Sequence, residues 1–278
     1  MPPEKANDNQ PRPLVVGLGE LLWDLFPRGK QLGGAPANFA YITALLGDCA
    51  VVASRVGDDR LGQEALWHLQ SNGLNIDHVQ RDAQHATGTV KVEVDAKGQA
   101  EYVFPENVAW DFMEFSDDWI ALARTTHAVC FGSLAQRNSV SRLTHRAFLA
   151  ALPSIAIGIF DVNLRQSFFS DEILRDSVRF AKVLKLNHEE FPRFLELVRC
   201  PLKDSDRGDV TAARCFAKSS PFSWCASHED RTAAFSSLPW PSTSIPVSKS
   251  KSPTPSAPAT PSPRPWFITR SAAHHCRS

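Results

Sequence analysis

Leu14-Val15-Val16-Gly17-Leu18-Gly19 is a short apolar run closed by glycine, and after a loop Ala37 to Leu46 reads as a mostly apolar helix stopped by Gly47. A strand, a loop and a helix in that order begin an α/β pattern, and the pattern repeats. Ala50-Val51-Val52-Ala53 predicts the next strand, and Leu61 to Asn72 predicts a helix closed by Gly73. Further on come strands at Ala128-Val129-Cys130-Phe131-Gly132, at Ile155 to Phe160 and at Val183-Leu184-Lys185-Leu186. Helices are expected over Val140 to Leu152 and within Asp171 to Phe180. Strands alternating with helices imply a parallel sheet covered on both faces. One segment departs from this: Thr89-Val90-Lys91-Val92-Glu93-Val94 alternates at period two, Asp95 to Gly98 turns, and Ala100 to Phe104 returns. That hairpin is expected outside the main sheet, with one apolar face covered as a lid or a dimer contact.

The 278 residues are 43% apolar, enough for a real core, and 30 Lys+Arg balance 30 Asp+Glu. A neutral chain has no global basic field for nucleic acid or an anionic membrane. No apolar run approaches the ~18 residues of a spanning helix. The polar, Pro-containing start from Met1 to Arg12 is unlike a signal peptide. A soluble cytoplasmic protein is therefore expected. The 6 cysteines are scattered without Cys-x-x-Cys spacing, which suggests neither a zinc site nor a disulfide scaffold. His188 and the pair His274-His275 beside Cys276 lack metal-site spacing.

Gly17-Leu18-Gly19 lacks the third glycine of a dinucleotide fingerprint, because Leu22 stands in its place. More specific is Gly19-Glu20-Leu21-Leu22-Trp23-Asp24 followed by Gln31-Leu32-Gly33-Gly34-Ala35-Pro36-Ala37-Asn38. Paired glycines let a ligand approach the backbone, and Asp24 and Asn38 beside them can hydrogen-bond vicinal hydroxyls, as on a polyol. Taken singly, the same residues are ordinary turn and cap chemistry.

Order adds to this. Val56-Gly57-Asp58-Asp59-Arg60-Leu61-Gly62 comes next, then the hairpin, Asp161-Val162-Asn163-Leu164-Arg165, and Lys185-Leu186-Asn187-His188-Glu189-Glu190. The succession resembles the PfkB (ribokinase-like) family of carbohydrate kinases, and the Gly19–Asp24 and Gly29–Ala40 stretches look most like its bacterial fructokinases. The resemblance covers roughly Val15 to Lys218. It implies a ribokinase-like three-layer α/β sandwich with a predominantly parallel sheet and a small β-sheet lid. It also implies ATP as phosphoryl donor, Mg²⁺, a small sugar as partner and a homodimer through the lid. By the same resemblance Asp24, Gly33, Gly34 and Asn38 bind sugar hydroxyls. Arg165 lies near the sugar and the transferring phosphate, and Asn187 and Glu190 organise Mg²⁺ and phosphate through water. Chemistry is compatible with these roles: a guanidinium fork neutralises a migrating phosphoryl group, and oxygen donors at a strand end suit a hard cation. The structural alternatives are a strand-end turn with an ion pair for Asp161 to Arg165, and a helix N-cap for Asn187 to Glu190.

The resemblance breaks off near Lys218. From Ser219 to Ser278 lie half of the chain's 20 prolines and no glycine. No packed core is expected there, and a disordered tail is the compositional reading. The family's Asp-Thr-x-Gly-Ala-Gly-Asp signature, whose glycine turn holds developing negative charge and whose last Asp is the general base, occurs nowhere in the chain. Another reading frame admits it. Let Pro253 to Pro263 be written with TCN serine codons and each codon begun at the third base. The junctions then allow Asp-Thr-Val-Gly-Ala-Gly-Asp-Ala-Phe-Thr, and Arg264 to Thr269 continues as Ala-Ala-Leu-Val-His-His. The Trp266/Phe267 junction forces that Val. In the same frame Ser223 to Glu229 admits Leu-Val-Cys-Val-Thr-Arg, similar to the family's nucleotide-contacting strand end. A frameshift near Lys218 is the hypothesis.

The expected organisation is a flexible terminus over 1–13, an incomplete α/β domain over 14–218 with the lid hairpin at about 86–106, and a tail over 219–278. The expected activity is ATP-dependent phosphorylation of a sugar, D-fructose first, with this chain inactive for want of the Asp. Alternatives are a sugar-binding remnant without catalysis, a different sugar such as 2-keto-3-deoxygluconate or ribose, or a chain that aggregates through uncovered apolar faces.

Overall fold

A computed structural model of the chain describes residues 12–94, 100–187, 189–197, 224–228 and 233–236. The first half runs β1 (Leu14–Leu18), β2 (Leu22–Phe26), β3 (Gly29–Gly33), α1 (Ala35–Leu45), β4 (Cys49–Gly57), α2 (Arg60–Ser71), β5 (Val79–Asp82), β6 (Gly88–Val94) and β7 (Ala100–Val103). There follow α3 (Asp117–Thr125), β8 (Ala128–Gly132), α4 (Ser139–Ala150), β9 (Ile157–Asp161), α5 (Asp171–Val178), β10 (Val183–Asn187), α6 (Glu190–Leu197), β11 (Trp224–His228) and β12 (Ala233–Ser236).

The large sheet has the order β12-β11-β10-β9-β8-β1-β4-β5 and is parallel except for β12. Its strands are short and apolar because crossover helices leave them little water to face. On one face Val16, Leu18, Val129, Phe131, Phe160, Leu184 and Leu186 pack against Trp119, Phe148, Leu174 and Phe194 of α3 to α6. On the other, Val52, Val56 and Ala50 pack against Ala37 and Ala40 of α1 and Ala65, Leu66 and Leu69 of α2. This second cluster contains no residue of β8, β9 or β10. Ile157, Ile159 and Val183, which alternate away from the first cluster, are exposed or half-buried, Ile157 to 44%.

The hairpin expected to stand alone is half of a larger element. β6 and β7 pair with each other and, through a parallel β2·β6 contact, with the β2–β3 hairpin, giving a four-stranded sheet β3-β2-β6-β7. The stretch Leu22 to Gly33 reads in sequence as a ligand loop because Leu22 and Trp23 are buried on opposite faces and residues 26–31 are exposed. Trp23 is buried toward α2, donating its indole N–H to the Leu61 carbonyl at 2.9 Å, and Leu22 is buried in the other cluster. No polar-apolar alternation survives.

Of residues 219–278 the structure describes two strands, β11 and β12, which extend the sheet at β10. Edge pairing rests on backbone hydrogen bonds, so it is compatible with a segment that builds no core of its own. The turn at 95–99, His188, the junction near Lys218 and His274, His275 and Cys276 lie outside the described residues. Cys49 is disulfide-bonded, which the scattered cysteine spacing gave no reason to expect.

One polar knot fixes the root of the lid. Asp59 caps α2 by accepting from the Gly62 amide at 2.8 Å, and the same carboxylate accepts from the Thr87 amide at 2.8 Å and its hydroxyl at 2.7 Å. The Thr87 oxygen in turn accepts from the Gly57 amide at 3.0 Å. The end of β4, the start of α2 and the residue before β6 are thus held by one carboxylate. A Cβ on Gly62 would lie 2.1 Å from the Gly57 carbonyl oxygen, so the close turn requires glycine. Burial pushes the Asp59 carboxyl up, but its bonds to Thr87 and Gly62 outweigh that and hold it below the ordinary 3.8. Asp59→Ala is expected to lower stability at pH 7 by about 2–3 kcal/mol, the sum of a lost cap and lost hydrogen bonds. A depressed folded pKa stabilises above the unfolded value and loses that effect as pH falls. Urea titrations should therefore find the gap between wild type and Asp59→Ala closing below about pH 4.

Candidate functional site

The site grows from two backbone crossings that tolerate no side chain. α1 lies directly on β1: a Cβ on Gly17 would sit 2.1 Å from the Pro36 carbonyl oxygen. One residue before α1, Gly34 has φ +111°, and its Cβ would sit 2.2 Å from the Glu20 carbonyl oxygen. Glycine is required there on both counts. Gly33 faces the Asp24 carboxylate across the β2–β3 hairpin, where a Cβ would come within 2.5 Å of Oδ2. Asn38, a turn into α1, donates its backbone N–H to the Gly34 carbonyl at 2.9 Å and is exposed. The chain path thus gathers Asp24, Gly33, Gly34 and Asn38 where β1 ends, at the carboxyl side of the parallel sheet.

Charges converge on the same place. Asp24 is half-buried; burial pushes its carboxyl up, and the Arg165 guanidinium partly offsets this. Glu20 is 2% exposed, and burial drives its carboxyl up to about 7 against the lowering effect of backbone bonds, with Asp161 raising it further and Arg165 lowering it. Asp161 pairs with the Lys185 ammonium at 2.8 Å across β9 and β10. Arg165 also lies 5.9 Å from the ring of Tyr102 on lid strand β7. Cys130, between these groups on β8, is a buried thiol raised by the same desolvation.

Arg165 sits in a loop whose backbone is strained on both sides, Asn163 at φ +42° and Gln166 at φ +46°. Such residues persist where surroundings fix them. The fixing group is Glu190: one carboxylate oxygen accepts from the Leu164 amide at 2.9 Å and the other from the Asn187 amide at 2.9 Å, while Asn187 Oδ1 accepts from the Glu190 amide at 2.7 Å. Asn187 and Glu190 therefore form a reciprocal cap at the start of α6 that also ties down the Arg165 loop. Their three side-chain oxygens each already accept a backbone N–H. Each oxygen keeps a second lone pair, with which it could accept from the water shell of a cation. Among the described residues no group of three His, Cys, Asp or Glu could hold a metal ion. For ATP the fit is partial: the strand end is present, but the described residues include no glycine-rich phosphate turn, and the chain carries no Gly-Ala-Gly-Asp.

A second clamp joins the lid's return to the loop bearing Arg165. Arg137 grips Asp111 with two bonds of 2.8 and 2.7 Å and the Pro105 carbonyl, and its guanidinium is sandwiched between Trp110 at 4.2 Å and Phe168 at 4.6 Å. Phe168 packs edge-on to Phe104 at the end of the lid.

The residues singled out in the sequence fall into two linked groups. Gly33 lies against the Asp24 carboxylate, Gly34 starts α1 one turn before Asn38, and the Arg165 charge acts on Asp24, while Glu190 and Asn187 reach the Arg165 loop through the Leu164 amide. Sequence reasoning passed over Glu20, Lys185 and Arg137. The first two carried a usable signal, since a carboxylate closes the apolar run from Leu14 to Gly19 and an ammonium interrupts the apolar strand Val183–Leu186. Arg137 carried none, because its partners are remote in sequence.

Comparison with known proteins bears on the family and the fold. A profile of the family described as "pfkB family carbohydrate kinase" matches residues 24–205. Fructokinase of Escherichia coli is 31% identical over 192 residues, covering 63% of this chain and 60% of that protein. The chain thus spans about three fifths of that relative's length. Among solved structures, fructokinase of Xylella fastidiosa with bound ATP superposes with a TM-score of 0.67 at 19% identity, covering 81% of this chain and 71% of that one. Fructokinase of Vibrio cholerae with fructose, ADP and calcium bound gives a TM-score of 0.64 at 20% identity, covering 82% and 74%. At these identities the likeness is one of fold, and it establishes the ribokinase-like architecture.

The buried Glu20 makes a pH prediction. Its folded pKa of about 7 exceeds the ordinary 4.5, so between those values the folded state holds a proton that the unfolded state has released. Stability then falls as pH rises through that window, by roughly 3 kcal/mol in all. Glu20→Gln has no such titration. Urea unfolding at pH 5 and pH 8 should find the variant gaining on wild type by about that amount; parallel stabilities at both pH values would contradict the assignment.

Proposed function

The chain belongs to the pfkB family of carbohydrate kinases, and from that premise we propose that its pocket takes a small sugar, D-fructose before other candidates. The family's reaction moves the γ-phosphoryl group of ATP to a sugar hydroxyl with Mg²⁺. The observation that carries the reading is the Asp24 carboxylate set against Gly33 and under the charge of Arg165, which lies beside lid residue Tyr102, with the Gly34 turn leading into Asn38. Asp24 accepts from sugar hydroxyls, the glycines let the ring lie on the backbone, and Asn38 offers both donor and acceptor. Arg165, held by Glu190 through Leu164, supplies positive charge near the reacting hydroxyl. Asn187 and Glu190 reach Mg²⁺ through water. The metal's chemistry is neutralisation of the phosphate charge.

This chain binds sugar without turnover in our reading, because it carries no Gly-Ala-Gly-Asp turn to hold the transferring charge and no general base in it. Losing a positioned base costs ~10²–10⁴-fold by itself. A frameshift near Lys218 accounts for the loss. Supporting it is the second face of the sheet, where among the described residues no helix covers Ile157, Ile159 and Val183. The same surface favours a second reading, self-association of an incomplete sheet; Ile42, Leu45 and Leu46 on the outer side of α1 are exposed as well. Pairing of lids in a homodimer is also proposed, with Phe26, Tyr102 and Val103 exposed on the lid. Among the described residues no helix is long and apolar enough to cross a membrane, and we place the protein in the cytoplasm.

Titration calorimetry with D-fructose, D-ribose and 2-keto-3-deoxygluconate, beside a coupled ATP assay, tests these statements. Fructose is expected to bind, Asp24→Ala to weaken it by about tenfold or more, and ATP turnover to stay at background. Correcting the frame at codons 215 to 225 should raise turnover at least ~10²-fold. Appreciable turnover by the chain as written refutes its inactivity. Genomic DNA without the family signature in the other frame refutes the frameshift, and loss of both sugar binding and a cooperative melt selects self-association.

A further inference from the structure

An α-helix leaves its first N–H groups without intrahelical partners, and a Ser, Thr, Asp or Asn at the N-cap ordinarily satisfies one of them. α1 has no such choice. Its N-cap must be Gly34, since the Glu20 carbonyl crosses where a side chain would begin, and no side chain of the cap makes a bond. Pro36, in the first turn, has no N–H to satisfy. Of the amides of Ala35 and Ala37 that remain, the first donates to Glu20 Oε1 at 3.3 Å. The acceptor comes from the segment between β1 and β2, from the residue whose own backbone excludes a capping side chain.

We propose that Glu20 is a positioning residue for the sugar pocket: reaching from beyond β1, its carboxyl caps α1 in place of Gly34 and thereby sets the Gly33–Gly34 turn and Asn38. The inference rests on the sugar-pocket reading above and adds to it a residue that acts through the helix and not on the sugar. Glu20 is 2% exposed, and its second oxygen, Oε2, is buried without a partner. A buried carboxyl with one free oxygen is costly to keep unless its other bond has work to do. The bond it makes lies on the amide next to Gly34 and three residues before Asn38. The helix N-terminus favours an acceptor there whatever the protonation state of the carboxyl. An amide oxygen can replace it, and a methyl group cannot.

The test compares Glu20→Gln and Glu20→Ala with wild type by D-fructose calorimetry and amide hydrogen exchange. Glu20→Ala is expected to weaken fructose binding by about tenfold, the scale of one buried hydrogen bond. It should also speed exchange at Ala35 and Asn38 while the amides of β4 stay protected. Glu20→Gln should keep affinity within about threefold and leave α1 exchange slow, since its amide oxygen restores the cap. Wild-type affinity and exchange in Glu20→Ala overturn the proposal, as does equal damage by both variants, which would make the charge and not the acceptor the active feature. Failure of wild type to bind any sugar overturns the functional reading instead, and the exchange contrast between the two variants still decides whether Glu20 holds α1.

Discussion

The backbone crossing at Gly34 governs this molecule. Where β1 ends, the chain turns into the lid, forms a hairpin and comes back to start α1 within touching distance of its outgoing path, so that the Glu20 carbonyl and Gly34 occupy space in which no Cβ fits. Everything around the site follows from that proximity. α1 rests on β1 because Gly17 admits the Pro36 carbonyl, Asp24 meets Gly33 across the hairpin, and the helix takes its cap from Glu20 because its own cap residue cannot carry one. A few tenths of an ångström of added bulk would move the lid, the helix and the pocket together.

The charged groups around this crossing are held by one another. The Arg165 charge lowers both Glu20 and Asp24 against the effect of burial, while Asp161 is matched by Lys185. Burial raises both Glu20 and Asp24. The Arg165 loop in turn depends on Glu190, and the lid's return depends on Arg137 between Trp110 and Phe168. Lid and sheet are therefore joined at two roots, the Asp59–Thr87 knot on one side and the Arg137–Asp111 pair on the other.

The two faces of the large sheet are unequal. Among the described residues one is roofed by α3 to α6 over β1, β4, β8, β9 and β10, and the other by α1 and α2 over β1, β4 and β5. The charged pair Asp161–Lys185 alternates with the apolar residues that face the roofed side.

The sequence alone determined the alternation of strands and helices, the lid hairpin, the glycine pairs and the ordered motifs that mark the family, since each is a local pattern of period, bulk or turn chemistry. It also carried the missing signature, because an absent motif needs no coordinates. Tertiary structure decided that Leu22 to Gly33 is a lid hairpin, as Leu22 and Trp23 are buried on opposite faces while residues 26–31 are exposed, which erases local periodicity. It decided too that Asn187 and Glu190 cap a helix and hold a loop, that Lys185 pairs with Asp161, and that Glu20 serves α1 from a distance of fifteen residues. These are contacts between segments far apart in the chain, and no local pattern encodes which remote partner a side chain will meet.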